Sequence, residues 1–276
     1  MKKLQVTSYE LKVTGYKLQV TSYKLRFLLS AFCLLLSAFC FLPSTLFAQK
    51  SSSSLISENK SVFLGLSFGP TIDWFAPTTD KFTFDREKAK GGFIAGINLD
   101  ITLKKESFIY FSTGVRVRYL QGELSFSNRY DFKPPIDTSF IVPTVRTYQT
   151  TYLTVPTGIN FRTKPLAGCV FLAKLGLYHN FRIGGTQYDS FTLPGGDPNY
   201  FTTTKKRPNK DASLFAEAGY LGVGFEYAFK EGTRIFANVD YSCQFNYFSA
   251  KTKDNVSNER FKSIVHSLHI VFGFLF

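Results

Sequence analysis

The sequence predicts an all-β fold, an eight-stranded antiparallel up-and-down transmembrane β-barrel. Three observations carry this. From residue 60 onward apolar side chains recur at every second position, tight and long connections alternate between these runs, and aromatic side chains gather at both ends of the runs. Period-two alternation marks a strand with unlike faces. Short turns at one end and long loops at the other are expected of outer-membrane barrels.

The runs follow one another along the chain. The first is Val62, Leu64, Leu66 and Phe68. The second sets Phe93, Ala95, Ile97, Leu99, Ile101 and Leu103 against Gly92, Ile94, Gly96, Asn98, Asp100 and Thr102. In the third, Ile109, Phe111, Val115, Val117 and Tyr119 alternate with Ser112, Gly114, Arg116 and Arg118. The fourth is Leu153, Val155, Thr157, Ile159 and Phe161; the fifth is Phe171, Ala173, Leu175 and Leu177 against Lys174, Gly176, Tyr178, Asn180 and Arg182. The sixth is Leu221, Val223, Phe225, Tyr227 and Phe229 against Gly222, Gly224 and Glu226. The seventh is Ile235, Ala237, Val239, Tyr241, Cys243 and Phe245 against Asn238 and Asp240, and the eighth is Leu268, Ile270, Phe272, Phe274 and Phe276. Tight connections fall at 104–107, 163–168 and 230–233. Long ones fall near 70–90, 121–147, 184–212 and 249–261.

A soluble barrel would bury its apolar face inward. Here the faces opposite the apolar ones carry charges, and the runs reach 12–16 residues, against ~5–6 for an average strand. Aromatics mark two levels. Phe108, Phe161, Phe171, Phe229 and Phe276 lie beside the tight turns, while Tyr119, Tyr148, Tyr152 and Phe245 lie toward the long loops. Such a distribution fits two interfacial belts. Mean hydropathy is −0.03, too polar for a bundle of membrane helices.

The remaining long apolar stretch is Phe27 to Ala48. Lys24 and Arg26 precede it, Pro43 breaks it, and Ala48-Gln49 follows as a cleavage point, so it reads as a secretory signal peptide. Residues 4–24 repeat a seven-residue unit, as in Leu4-Gln-Val-Thr-Ser-Tyr-Glu10 and Leu18-Gln-Val-Thr-Ser-Tyr-Lys24, and stand outside the fold. The division is therefore 1–48, extended N-terminus plus signal peptide; 49–59, short polar linker; and 60–276, barrel. Six of the 33 Lys/Arg and one of the 20 Asp/Glu fall in residues 1–48, leaving a net +8 beyond them. The basic side chains are scattered and form no nucleic-acid module, so anionic lipid headgroups are the expected counterpart. Cys169 and Cys243 are isolated and make no metal motif or disulfide framework.

No Walker loop, His-Glu-x-x-His, Gly-x-Ser-x-Gly or Cys-x-x-Cys occurs. Gly91-Gly92 and Gly222-x-Gly224 lie inside strands, where missing side chains make room for bulky neighbours. By parity His179 and His266 face lipid near the outer rim, on strands that are not neighbours, and Ser267 points the other way. No catalytic, cofactor or metal site is expected. The side chains that parity sends inward are Asp100, Arg116, Arg118, Arg162, Lys174, Arg182, Glu226 and Asp240, expected to fill a narrow lumen as a charge network.

Two segments carry a resemblance. The end of the chain, His269-Ile-Val-Phe-Gly-Phe-Leu-Phe276, resembles the assembly signal of outer-membrane barrels, with Phe272, Phe274 and Phe276 as its aromatic positions. Tyr152-Leu-Thr-Val-Pro-Thr-Gly-Ile-Asn-Phe161 resembles the Tyr-Leu-x-hydrophobic-Pro strand of PorT-like outer-membrane β-barrel proteins, and Gly176 to Phe181 fits the Gly-x-x-x-x-Phe strand that follows. The resemblance spans about residues 60–276. It implies export to the bacterial outer membrane, insertion by the barrel-assembly machinery and both termini in the periplasm. Some members of that family serve a secretion and gliding apparatus. The expected function is non-enzymatic: a structural or interaction protein displaying extracellular loops, in contact with outer-membrane lipids, lipopolysaccharide and other envelope proteins. The alternatives are a narrow solute channel and, less favoured, a lipid A-modifying enzyme.

Overall fold

The computed structural model describes residues 62–78, 85–86, 88–103, 108–131, 139–166, 168–192, 201–228, 233–248 and 262–276. The expectations for residues 1–61, the turn at 104–107, Phe229, residues 230–232 of the turn at 230–233 and the connection at 249–261 lie outside the described residues. Each apolar run falls on a strand: β1 Val62–Pro77, β2 Lys90–Thr102, β3 Ile109–Asp131, β4 Ser139–Arg162, β5 Cys169–Thr192, β6 Phe215–Ala228, β7 Arg234–Gln244 and β8 Ser263–Leu275. Every strand pairs antiparallel with the next, and β8 returns to β1, so the eight form a closed ring.

The stagger of the ring can be read from its register. From Trp74 the paired positions run through His266, Cys243, Gly219, Leu177, Thr157, Thr113 and Leu99 to Leu64. One circuit therefore ends ten residues lower on β1. With ~3.3 Å of rise per residue and ~4.8 Å between strands, that offset tilts the strands by roughly 40° from the axis.

Alternation gives the wall two chemistries. Leu64, Leu66, Phe68, Ile97, Val115, Leu175, Val223, Val239 and Phe272 are exposed on the outside, while Ser67, Asn98, Asp100, Arg116, Asn160, Glu226 and Asp240 are buried inside. Apolar groups left outward and charges turned inward are stable only with hydrocarbon around the wall.

Three strands run furthest beyond the sequence alternation, and β1 also continues to Pro77, through the first part of the connection expected near 70–90. β3, β4 and β5 have 23, 24 and 24 residues, against 11–16 for the others. Segments 121–147 and 184–212, expected as long polar connections, are in large part β-structure that rises roughly 25 Å beyond the wall, at ~2.5 Å of height per tilted residue. The physical reason is an inversion of polarity. Above the apolar band Leu120, Leu124, Phe126, Tyr148 and Phe191 turn inward, and Gln121, Glu123, Ser125 and Gln149 turn outward; Tyr148 and Tyr152, expected in the outer aromatic belt, are buried inside instead. That is the pattern of a sheet facing water on its outer side.

The projecting sheet would present two open edges, which invite pairing with other chains. Both are partly covered. Asp85–Arg86 pairs with Leu124 and Ser125 of β3, while Phe201–Thr203 and Arg207–Pro208 pair with β5. One irregularity marks the base of the projection: Tyr152 pairs with Arg182 but Thr151 with Gly184, so Ile183 is an extra, bulged residue. Several glycines make room for lumen side chains. A Cβ at Gly222 would overlap the Asp240 carboxylate, and one at Gly176 would lie 2.8 Å from the Tyr220 ring. Gly92 is crowded in the same way by Thr71 and Asp73, but Gly91 has open space beside it, so the packing reading fails there.

Candidate functional site

The lumen is filled in layers. Nearest the tight turns, Arg162 of β4 lies between two carboxylates, 2.6 Å from Asp100 on β2 and 2.7 Å from Glu226 on β6. Arg234 on β7 reaches the other oxygen of Glu226 at 3.3 Å, and the Asn160 amide donates to Asp100. The Arg162 guanidinium stands 3.9 Å from the Tyr110 ring centre, and that of Arg234 4.3 Å from Phe63. Phe63, Phe236, Val271 and Leu275 pack together at this end. Two cations thus share two anions between aromatic faces, so each buried charge has a partner.

The middle layer is polar with few ion pairs. Arg116 donates twice to the Asn98 carbonyl, at 2.9 and 2.7 Å, and Lys174 donates to Asn238 at 3.1 Å. Tyr178 stacks on Tyr220 and donates to Asp240 at 3.2 Å. His269, fully buried, meets Ser242 at 2.9 Å. Above this, Arg118 pairs with Asp73 at 2.7 Å, Asp73 accepts from Thr71, and Arg118 also donates to Ser267. Arg182 donates to the carbonyls of Asn209 and Ala212, tying the chain after β5 across the mouth. Phe75, Tyr148 and Phe248 then close the long-loop end with ring centres 4.6–5.7 Å apart.

All eight charges that parity sends inward point into the lumen, but they do not form one network. Asp100, Arg162 and Glu226 are joined directly. Among the described residues Arg118 pairs instead with Asp73, Arg116 and Lys174 rest on amides, Arg182 on backbone, and Asp240 on a phenol. Sequence reasoning missed Asp73, which lies beyond the clearest part of the first run, and Arg234, which opens the seventh. Parity extended by a few residues would have found both.

Beyond the wall, Arg146 on β4 forks Asp189 on β5 at 2.5 and 2.9 Å and reaches Asp211 at 3.0 Å. Burial opposes its charge, but the Asp189 hydrogen bond and the Asp189 and Asp211 charges hold its pKa above the ordinary guanidinium value. Arg207 adds a second cation to Asp189 at 3.1 Å, and Gln187 donates to Asp211 at 3.0 Å. A cavity of about 360 Å³ opens here, lined by Arg146, Gln187, Arg207, Pro208, Lys210 and Asp211.

Two polar clusters sit on the outer face. His266 stacks on Trp74 at 5.8 Å and bonds the Tyr241 hydroxyl at 2.7 Å. His179 lies between the Thr157 hydroxyl, 3.0 Å from Nε2, and the Glu217 carboxylate, 3.3 Å from Nδ1. Ser267, next to His266 in the chain, points the other way into the lumen, where it accepts from Arg118. No group of three His, Cys, Asp or Glu side chains able to hold a metal occurs among the described residues.

The family model described as "Outer membrane protein beta-barrel domain" matches residues 47–276. The chain belongs to that family. It is therefore a transmembrane barrel of the bacterial outer membrane. Among solved structures it is similar to the attachment invasion locus protein Ail of Yersinia pestis, at 13% identity over 79% of this chain and 100% of that one, with a TM-score of 0.31. Neisserial surface protein A is similar at 11% identity over 78% and 96%, TM-score 0.33, and the outer membrane protease OmpT of Escherichia coli at 8% over 78% and 96%, TM-score 0.36. Likeness this distant carries nothing about activity. Among curated proteins no sequence matches this chain.

Proposed function

We propose that this outer-membrane barrel is a non-enzymatic anchor whose projecting sheet and loops, on the cell exterior, make contact within an envelope or secretion assembly of the PorT-like kind. The carrying observation is the filled lumen, closed by Phe63, Phe236 and Leu275 at one end and by Phe75, Tyr148 and Phe248 at the other. An eight-stranded barrel has room for its own side chains and little else, which disfavours the channel alternative. In this reading the tight turns and both termini are periplasmic, the signal is removed after Ala48, and Phe272, Phe274 and Phe276 are read by the assembly machinery. Lipids and lipopolysaccharide surround the exposed apolar belt. Planar-bilayer recording tests it: purified protein should give no steady conductance steps, and reproducible steps would favour the channel.

One observation favours the enzyme reading instead. Thr157, His179 and Glu217 form a hydroxyl–imidazole–carboxylate chain on the lipid side, the order used to activate a nucleophile. Polar groups facing lipid are costly without a function. Deacylated lipopolysaccharide appearing in vesicles with the protein, but not with His179→Ala, would establish that reading.

A further inference from the structure

We propose that the cavity beside Arg146 binds a soluble anionic sugar, of the phosphorylated monosaccharide class. This rests on the display reading only in placing the cavity outside the cell. The acids around the cavity are already engaged. Both oxygens of Asp189 are taken by Arg146, and one of them by Arg207 as well, while Asp211 accepts from Arg146 and Gln187. What remains toward the opening is cationic: the exposed Arg207 and Lys210. Arg207, held on Asp189 through one nitrogen, and Lys210 together suit a phosphate or carboxylate.

A second observation specifies more than an anion. The Gln187 side chain lines the cavity, and its Oε1 is buried with no hydrogen-bond partner among the described residues, while its Nε2 is committed to Asp211. A buried acceptor left unmade costs free energy that a ligand hydroxyl would recover. Volume agrees, because about 360 Å³ lies at the small end of ligand pockets and exceeds what inorganic phosphate needs. The frame is rigid in advance. Asn209 is bonded to Thr150 at 2.9 Å, to the Gly185 carbonyl and to the Ala212 amide, and Arg182 holds the Asn209 carbonyl. Preorganised groups lose less entropy on binding. Arg146, Gln187 and Asp189 lie on the inner side of the projecting sheet, away from lipid, so the ligand arrives from solution rather than from a neighbouring headgroup.

The test uses the full chain in phosphatidylcholine nanodiscs, with glucose 6-phosphate as the probe in calorimetric titration at low salt. One saturable site is expected, with affinity falling at least tenfold in Arg207→Ala/Lys210→Ala. Both residues are exposed, so that variant should keep the wild-type heat-modifiable mobility. Gln187→Leu should weaken glucose 6-phosphate severalfold and leave inorganic phosphate unchanged. No saturable binding, or equal binding by the double variant, overturns the site. Equal affinity for glucose removes the anion, and inorganic phosphate binding as tightly as the sugar phosphate removes the sugar. Binding seen only to discs containing lipopolysaccharide overturns the soluble source. Conductance steps would sink the display reading while leaving each of these results interpretable.

Discussion

Replacing Glu226 by Ala probes the filled lumen at its most connected point. Glu226 is 2% exposed and takes Arg162 through one oxygen and Arg234 through the other. Its removal leaves Arg162 with Asp100 at 2.6 Å, but leaves Arg234 with the Phe63 ring and no carboxylate at ion-pair distance among the described residues. Stranding one partner of a buried pair costs about 3–5 kcal/mol, a large share of the ~5–15 kcal/mol that holds a typical domain folded. Trp74, the single tryptophan of the chain, faces outward near the long-loop rim and reports insertion by its fluorescence. Equilibrium urea titration from phosphatidylcholine vesicles should therefore show a loss in that range. Adding Arg234→Ala should recover part of it, because the orphaned charge leaves too. A loss below ~1 kcal/mol would mean that water solvates the orphan, and the dry-lumen argument would fail.

Other expectations follow from the wall. Val239→Arg, in the middle of β7, should cost ~2–4 kcal/mol in the same titration, and Leu103→Arg, just past the end of β2, only ~0–1, because the penalty depends on depth; equal costs would contradict the assigned band. Gly122→Ala should destabilise by ~1–3 kcal/mol, since its Cβ would overlap the Phe75 ring; a neutral result would mean that the Phe75, Tyr148 and Phe248 layer is loosely packed. Phe276→Ala keeps the backbone bonds to Leu64 that close the ring and should still lower outer-membrane abundance severalfold. Unchanged abundance by immunoblot would separate this residue from assembly.

Fold and face were legible where one chemical rule ran unbroken. From Phe93 to Leu103, or from Ile235 to Phe245, hydrocarbon outside imposes an apolar residue at every second position, and the structure turns those positions outward, with the apolar Ile94 and Phe236 among the residues facing in. Legibility stopped where the surroundings change from lipid to water. Leu120, Gly122, Leu124 and Phe126 alternate as regularly as any transmembrane run, but with apolar groups inward. A search for apolar-outward strands reads them as loop. The candidate cavity was out of reach for the same reason, because Arg146 and Asp189 lie on those extensions and Asp211 on the chain that folds back over them. Pairings inside the lumen were unreadable too. Parity gives the side a residue faces, not that Arg118 sits nearer Asp73 than Asp100.

The extra residue at Ile183 separates two codes written on one strand. Below it the even-numbered side chains of β5, Lys174 to Arg182, face the lumen; above it the odd-numbered ones, Gln187 and Asp189, do. Ile183 acts as a phase shift, and Gly184-Gly185 beyond it supplies backbone able to absorb the slip. Selection can thus change residues above 184 without disturbing which residues below it meet lipid. Deleting Ile183 would heal the bulge and leave both halves in phase, with Asp189 still opposite Arg146, whereas deleting one residue elsewhere in β5 would rotate the strand on one side of the cut by one face. The anchor and the surface it carries can then diverge at different rates, with that single residue as the border between them.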